Sequence, residues 1–236
     1  MKAVEAMNVS KKFGSIIALD GVTVSFNNGV YGLIGPNGSG KTTFIRIMLG
    51  LQKPSSGKIL VFDKDPFYSH GQVCSLIGYL REKCAFPKWV TGIEYLKHVS
   101  RLKRVEFDKN VLTYPIVKGG FLTRKISTYS AGMIQRLGLI QALIGNPSLI
   151  VLDEPLTNLD PLGRIELIEL IKKIKNGNKT IVVSTHILED LEQICDFIIV
   201  MKRGRIIAKD NLEKFVASFS SDGTLANAYA RVMENA

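Results

Sequence analysis

The amino-acid sequence predicts an α/β fold: a mostly parallel sheet with flanking helices, interrupted by an inserted small helical subdomain. Three observations carry this. Short, wholly apolar runs such as Leu149–Leu152 and Phe197–Met201 suit strands buried on both faces. Strand-like runs alternate along the chain with segments of helical period, the pattern of a parallel sheet covered on both sides. Residues 82–128 break the alternation, being polar, basic and without a strong strand.

Taken in order, Val4–Val9 and Val22–Phe26 alternate apolar and polar residues, as strands with one solvated face do. Val30–Ile34 is a third strand and leads into a Gly-rich turn. A helix is expected from about Thr42 to Leu49, with Gly50 as its stop. Ile59–Phe62 and Ile77–Leu80 read as further strands. Past the insert, Ser130 stands at an N-cap position, and Met133, Ile134, Leu137, Ile140 and Ile144 follow at helical spacing. Gly145-Asn146-Pro147 ends that helix. Leu149–Asp153 is a buried strand, and Arg164–Lys175 is an amphipathic helix with Ile165, Leu167, Ile168 and Ile171 on its apolar side. Thr180–Thr185 and Phe197–Met201 complete the strands. Asn211–Phe219 and Thr224–Met233 read as short helices, in a stretch too short for a regulatory domain and without a ligand site.

The chain has 236 residues, 46% of them hydrophobic, ample for a core in one domain or one domain carrying a subdomain. Cys74, Cys84 and Cys195 lie far apart with no CxxC pair, which points to a reduced, cytosolic setting. His70, His98 and His186 are also scattered, which argues against a dedicated metal cluster. No stretch reaches the about 18 apolar residues of a membrane helix, and the N-terminus lacks the apolar segment of a secretory signal. The net charge is +10 and uneven: Arg81 to Lys125 holds eleven Lys or Arg against four Asp or Glu. A solvated helical face is the plain reading; an anionic membrane surface or nucleic acid is the sharper one. The interleaved aromatics of a nucleic-acid stacking surface are missing.

The strongest chemical signal is the run Gly35, Pro36, Asn37, Gly38, Ser39, Gly40, Lys41, Thr42, which matches GxxxxGK[ST] between an expected strand and an expected helix. Glycines let backbone N–H groups turn inward into an anion nest, and the helix N-terminus adds positive character. Lys41 can then reach the β- and γ-phosphates of ATP, the Thr42 hydroxyl can ligate Mg2+, and Thr43 belongs to the same binding set. A carboxylate is needed near the metal, and Asp153 supplies one at the end of a buried strand. Glu154, next to it, can orient or deprotonate the attacking water. The plain alternative is a strand ending in two solvated acids. His186 follows a strand C-terminus, where α/β ligand sites gather, and could hydrogen-bond the γ-phosphate; a capping or packed histidine is its plain alternative.

The order Gly35–Thr42, Tyr129-Ser-Ala-Gly-Met133, Leu149–Glu154, Thr157-Asn-Leu-Asp160 and His186 resembles the ATP-binding cassette (ABC) family over residues 1 to about 210. The Ser-Ala-Gly-Met segment resembles the family signature LSGGQ, which other P-loop ATPases lack. The resemblance implies a P-loop NTPase core of ABC ATPase type, with an antiparallel β subdomain beside the parallel sheet. It implies one ABC ATPase domain over residues 1–236, with a nucleotide-binding core at 1–81 and 129–210, a helical subdomain at about 82–128 and a tail at 211–236. It places Phe13 on the adenine, with an ordinary core aromatic as the alternative, and Ala18-Leu19-Asp20 resembles the segment that follows in the family. It further implies a head-to-tail dimer with two shared sites. One subunit gives the P-loop; the other gives Ser130 and the backbone N–H of Gly132 to the γ-phosphate, and Asp160 bridges the two. ATP binding should then close the dimer and hydrolysis should let it open.

Three features depart from the family pattern. Glu82 stands where the family has a Gln that senses Mg2+ and the water; as a carboxylate it could still contact metal and water, at the expense of negative charge beside phosphate. Ala131 and Met133 replace a Gly and a Gln of the signature. The insert between Glu82 and Ser130 is short for the part of the family that touches the membrane partner.

Tyr79-Leu-x-Glu82, the run Tyr129 to Arg136 and Leu159-Asp-Pro161 resemble the ATPase subunits of ABC-2-type exporters. That resemblance implies a homodimer or heterodimer of ATPase subunits working with a separate transmembrane permease subunit. It implies a peripheral place on the cytoplasmic face of the cell membrane, reached through the permease, and no nucleic-acid partner. The alternative is a soluble ABC-type ATPase acting on ribosomes or DNA. Such chains commonly carry two cassettes or a long coiled-coil insertion, whereas this one has a single cassette and no heptad run. A nucleotide sensor without turnover would not need Glu154. Cargo specificity is expected in the membrane subunit, and the direction of transport follows from the resemblance alone.

Overall fold

The computed structural model describes residues 2–117, 120–175 and 178–235, so Lys118 of the basic stretch lies outside the described residues. The chain opens with β1 (Val4–Phe13) and β2 (Ile16–Phe26), followed by β3 (Gly29–Ile34), α1 (Lys41–Met48) and β4 (Ser56–Val61). β1 pairs antiparallel with both β2 and β4, giving a three-stranded sheet. Next come α2 (His70–Leu76), β5 (Ile77–Leu80) and the insert, built from α3 (Gly92–Leu102) and short 3-10 turns. α4 (Ala131–Leu143), β6 (Leu149–Asp153), α5 (Pro161–Lys175), β7 (Thr180–Ser184), α6 (Leu188–Glu192), β8 (Phe197–Lys202), β9 (Arg205–Asn211), α7 (Leu212–Phe219) and α8 (Leu225–Asn235) complete the order.

The main sheet has six strands in the order β5-β6-β7-β3-β8-β9. All neighbours are parallel except the edge pair β8–β9. β6 and β7 are buried at every position, as the apolar runs require of central strands covered on both faces. One core lies between α4, α5, α7, α8, the insert and one face of the sheet; the other lies between α1, the opposite face and the three-stranded sheet. The parallel strands place their C-terminal ends on one edge, which is where the motifs fall.

Local chemistry sets the helix starts. Thr91 and Glu94 form a capping box on α3, and the Ser130 hydroxyl caps α4 by accepting from the Met133 N–H at 3.3 Å. The insert is anchored by Leu96, Ile116, Phe121 and Ile126, all buried in the core that α4 shares.

Several expectations need correction. β1 runs to Phe13 and β2 starts at Ile16, well beyond the alternating segments; Phe13 pairs with Ile16 across a tight turn. Ile16 and Ile17 are exposed there, so backbone pairing rather than burial holds that end of the hairpin. β9 was not expected: as an edge strand of half-exposed residues it lacks a strong apolar signature. On α5, Ile165 is 53% exposed, whereas Glu166 is 2% exposed. The reason lies across the core, where Arg136 Nη1 of α4 sits 2.5 Å from Glu166 Oε2 and makes burial of that carboxylate tolerable. The residues after β9 fold back on the body: Phe215, Leu225 and Ala228 are fully buried in the main core.

Candidate active site

The loop between β3 and α1 is shaped by glycine. Gly40, the N-cap of α1, holds φ +105°, and a Cβ there would come within 2.6 Å of the Ala18 carbonyl oxygen. At Gly35 a Cβ would meet the Met201 carbonyl oxygen at 2.2 Å. The loop is braced from behind by the β8–β9 hairpin, where the Gly204 N–H donates to Ser39 O at 2.9 Å. Lys41 curls over the loop: its Nζ donates to Gly35 O at 2.6 Å and to Pro36 O at 3.2 Å. Burial lowers the Lys41 pKa, while Glu154, Asp153 and Glu82 pull it back up.

A cleft of about 760 Å³ opens beside this loop. Of the residues singled out from sequence, it is lined by Phe13, Asn37, Gly38, Ser39, Gly40, Lys41, Thr42, Thr43, Glu82, Asp153, Glu154 and His186. Gly35 and Pro36 sit behind it and present carbonyls to Lys41. Ser130, Gly132 and Asp160 stand outside the cleft of their own chain. Asp160 accepts from the Gly163 N–H at 2.9 Å at the start of α5, lies 3.8 Å from Arg136 Nη2, and has a side chain that is 68% exposed.

The carboxylates occupy different environments. Asp153, at the end of β6, is 3% exposed and accepts from Ser184 Oγ at 2.5 Å. Burial raises its pKa, the Ser184 hydrogen bond opposes this, and Glu82 pushes it further up. Glu154 has φ +50°, a left-handed conformation unusual for this residue type. Its backbone N–H donates to Ser184 O at 2.9 Å, and its Oε2 lies 3.0 Å from His186 Nδ1. Glu154 is thereby aimed into the cleft, with an imidazole against its carboxylate.

Other lining residues escaped the sequence reading. Ile16 and Ile17 extend the apolar wall around Phe13, and Lys83 also faces the cleft; Thr157 and Asn158, the start of the Thr157–Asp160 motif, line it as well. Gln135 lies behind it, 2% exposed, and donates to Glu154 O at 3.2 Å and Pro155 O at 3.1 Å. Its only signal was position: a polar residue inside an apolar helix, beside the Ser130 segment.

The donor set suits a hard divalent cation. Thr42 and Asp153 offer oxygen donors, and the three carboxylates of Glu82, Asp153 and Glu154 share the cleft with two lysines, Lys41 and Lys83. Among the described residues no group of three or more His, Cys, Asp or Glu could hold a metal ion. A cation here would therefore complete its coordination with phosphate oxygens and water.

A glycine-shaped loop, a lysine, a buried aspartate and an adjacent glutamate thus meet in one cleft. The ABC transporter family profile matches residues 19–157. The chain belongs to the ABC transporter family. Among ABC relatives, an uncharacterized ABC transporter ATP-binding protein, all4389 of Nostoc sp., is 34% identical over 211 residues, covering 86% of this chain and 62% of its own length. This chain thus spans under two thirds of that relative. The bacitracin transport ATP-binding protein BcrA of Bacillus licheniformis is 35% identical over 219 residues, covering 89% of this chain and 71% of that protein. The cassette MJ0796, in a dimeric post-hydrolysis state bound to ADP and Pi, superposes with a TM-score of 0.80 at 26% identity, covering 89% of this chain and 98% of that one. The ABC ATPase fold, with its parallel core, antiparallel sheet and helical insert, is shared with such cassettes. Among the described residues, no helix is long and apolar enough to cross a membrane.

Proposed function

We propose that the chain is the ATP-binding and ATP-hydrolysing subunit of an ABC exporter, dimerising around two MgATP to drive a separate transmembrane permease. The observation that carries the reading is a divided site: Lys41, Asp153, Glu154 and His186 share one cleft, while Ser130 and Gly132 stand outside it. A half-site of this kind is completed by a second copy or a related subunit.

In this reading the adenine lies against Phe13 and the Ile16–Ile17 wall. The triphosphate lies along the N–H groups of the 35–42 loop, and Lys41 exchanges the carbonyls of Gly35 and Pro36 for phosphate oxygens. Thr42 and Asp153 would hold Mg2+, which supplies charge neutralisation at the β- and γ-oxygens. Glu154 orients a water and accepts its proton as the water oxygen bonds to the γ-phosphorus. The bond to the β,γ-bridging oxygen breaks, and that oxygen leaves on ADP. His186 holds the Glu154 carboxylate and is near enough to the cleft to donate to the γ-phosphate. Glu82 faces the same space and meets the cation or its water. Ser130 and Gly132 of a second copy present a capped helix start to the γ-phosphate, and Asp160 lies at the seam between copies.

The kinship with an ATP-binding protein named for bacitracin transport supports an exporter, located on the cytoplasmic face of the membrane through its permease. The test compares MgATP turnover by the purified chain with that of Glu154→Gln. A loss of about 100-fold or more is expected for removal of a general base; equal rates would refute the assignment. Recovery with a membrane protein from solubilised membranes supports the transporter, and recovery with ribosomes overturns it.

A further inference from the structure

The outward surface of the insert has a composition that the nucleotide chemistry does not explain. Residues 88–91 run antiparallel to 125–127: Thr91 bridges Lys125, the Ile126 N–H donates to Val90 O at 2.9 Å, and the Ser127 N–H donates to Lys88 O at 3.1 Å. Side chains alternate along such a ribbon. Ile126 is 3% exposed and points into the core, so Lys125 and Trp89 fall on the opposite, outward face. Trp89 is 76% exposed, and among the described residues of 82–128 it is the one exposed aromatic.

The ribbon leads into α3, which turns Glu94, Lys97, His98 and Arg101 to solvent and ends at Leu102, itself 70% exposed. With Lys88 and Arg124, this surface offers five exposed cations against Glu94. That carboxylate is already engaged in the Thr91 capping box, with Lys97 and Lys125 beside it. Apolar groups thus stand at both ends of a cationic surface.

We infer that this face, formed by the 88–91/125–127 ribbon and the outer side of α3, docks on an anionic phospholipid surface. The cations match the charge of acidic headgroups, each contributing through a field that fades within a Debye length. The indole of Trp89, an apolar body with one polar N–H, is suited to the headgroup layer. Nucleic acid is a poorer match, because a single indole offers no succession of stacking rings. The inference goes beyond the proposed permease contact: this chain would itself touch lipid.

Trp89 is the sole tryptophan, so the emission of the purified full chain reports this site alone. Titration with phosphatidylcholine vesicles containing phosphatidylglycerol should shift the emission to the blue. Pure phosphatidylcholine should not, and raising the salt should reverse the shift. Lys97→Gln and Lys125→Gln should each weaken the partitioning about fivefold, leaving MgATP turnover in solution unchanged. The inference is overturned by no shift on anionic vesicles at low salt, by an equal shift on neutral ones, or by unaltered binding of the two variants. Tighter binding to duplex DNA or RNA than to anionic vesicles would overturn it as well. Because lipid binding is read without nucleotide, its failure would leave the Glu154 experiment standing, and the reverse holds too.

Discussion

The side-chain amide of Gln135 donates to the carbonyl oxygen of Glu154 at 3.2 Å, tying the helix that begins at Ser130 to the glutamate at the end of β6. Glu154 holds φ +50°, a conformation that costs a non-glycine residue of order 1–3 kcal/mol and persists only where its surroundings hold it. Gln135→Leu keeps the volume but leaves the Glu154 and Pro155 carbonyls without that donor. The expected cost is about 1–3 kcal/mol of stability. Turnover should fall by about tenfold as Glu154 relaxes, equivalent to roughly 1.4 kcal/mol of barrier, with MgATP affinity little changed. Thermal unfolding, nucleotide titration and steady-state turnover would check the three parts separately.

Asp153 makes a prediction with a sign. Its pKa is raised in the folded chain, by burial first, so the native state keeps its proton to higher pH than the unfolded state does. The contribution to stability is therefore fully present below the unfolded value. It declines as pH rises from that value through the raised folded one. Once ionised, the buried carboxylate is a burden that a cation relieves. Asp153→Asn keeps an acceptor for Ser184 Oγ and removes the charge. Without nucleotide or metal its Tm at neutral pH should exceed that of the parent, by about 2–4 °C for each kcal/mol relieved. Added MgATP should stabilise the parent more than the variant, and turnover should fall by at least about 100-fold. A lower Tm for the metal-free variant would contradict this account.

Gly132 separates the chain's own fold from its assembly. A Cβ at this position would meet the Asn158 carbonyl oxygen at 3.2 Å, a tight contact rather than a collision. Gly132→Val should therefore fold and bind MgATP in its own cleft with affinity within about twofold, because Gly132 does not line that cleft. In the proposed dimer the added methyls stand between the α4 N-terminus and the γ-phosphate held by the second copy. Turnover should drop by about 100-fold or more, and the dimer trapped by ATP in Glu154→Gln should not form in the double variant. Light scattering with and without MgATP gives the readout; a normal ATP dimer would show that Gly132 does not face phosphate across the seam.

The basis of what was legible is visible in particular elements. The strands at Leu149–Asp153 and Thr180–Ser184 announce themselves because a central parallel strand buries both faces, so its interior, Leu149–Leu152 and Ile181–Val183, is a continuous apolar run. The Gly35–Thr42 loop is equally plain, because cradling phosphate needs consecutive backbone N–H groups and hence a contiguous run of permissive residues. Burial of Glu166 and exposure of Ile165 run against the periodicity of α5, since the deciding partner, Arg136, sits thirty residues earlier on α4. The Phe13–Ile16 hairpin end and β9 were similarly hidden, for they are held by cross-strand hydrogen bonds rather than an apolar pattern.

What the sequence determined by itself was the kind of fold and the residues able to grip a triphosphate, because apolar periodicity and loop chemistry are local properties of the chain. The tertiary structure decided which groups share a cleft: His186 against Glu154, Ser184 on Asp153 and Gln135 behind both, with Ser130 and Gly132 left outside. Those relationships join residues widely separated in the chain, and a distance of 3 Å between such residues exists only once packing of the sheet and helices has brought their elements together.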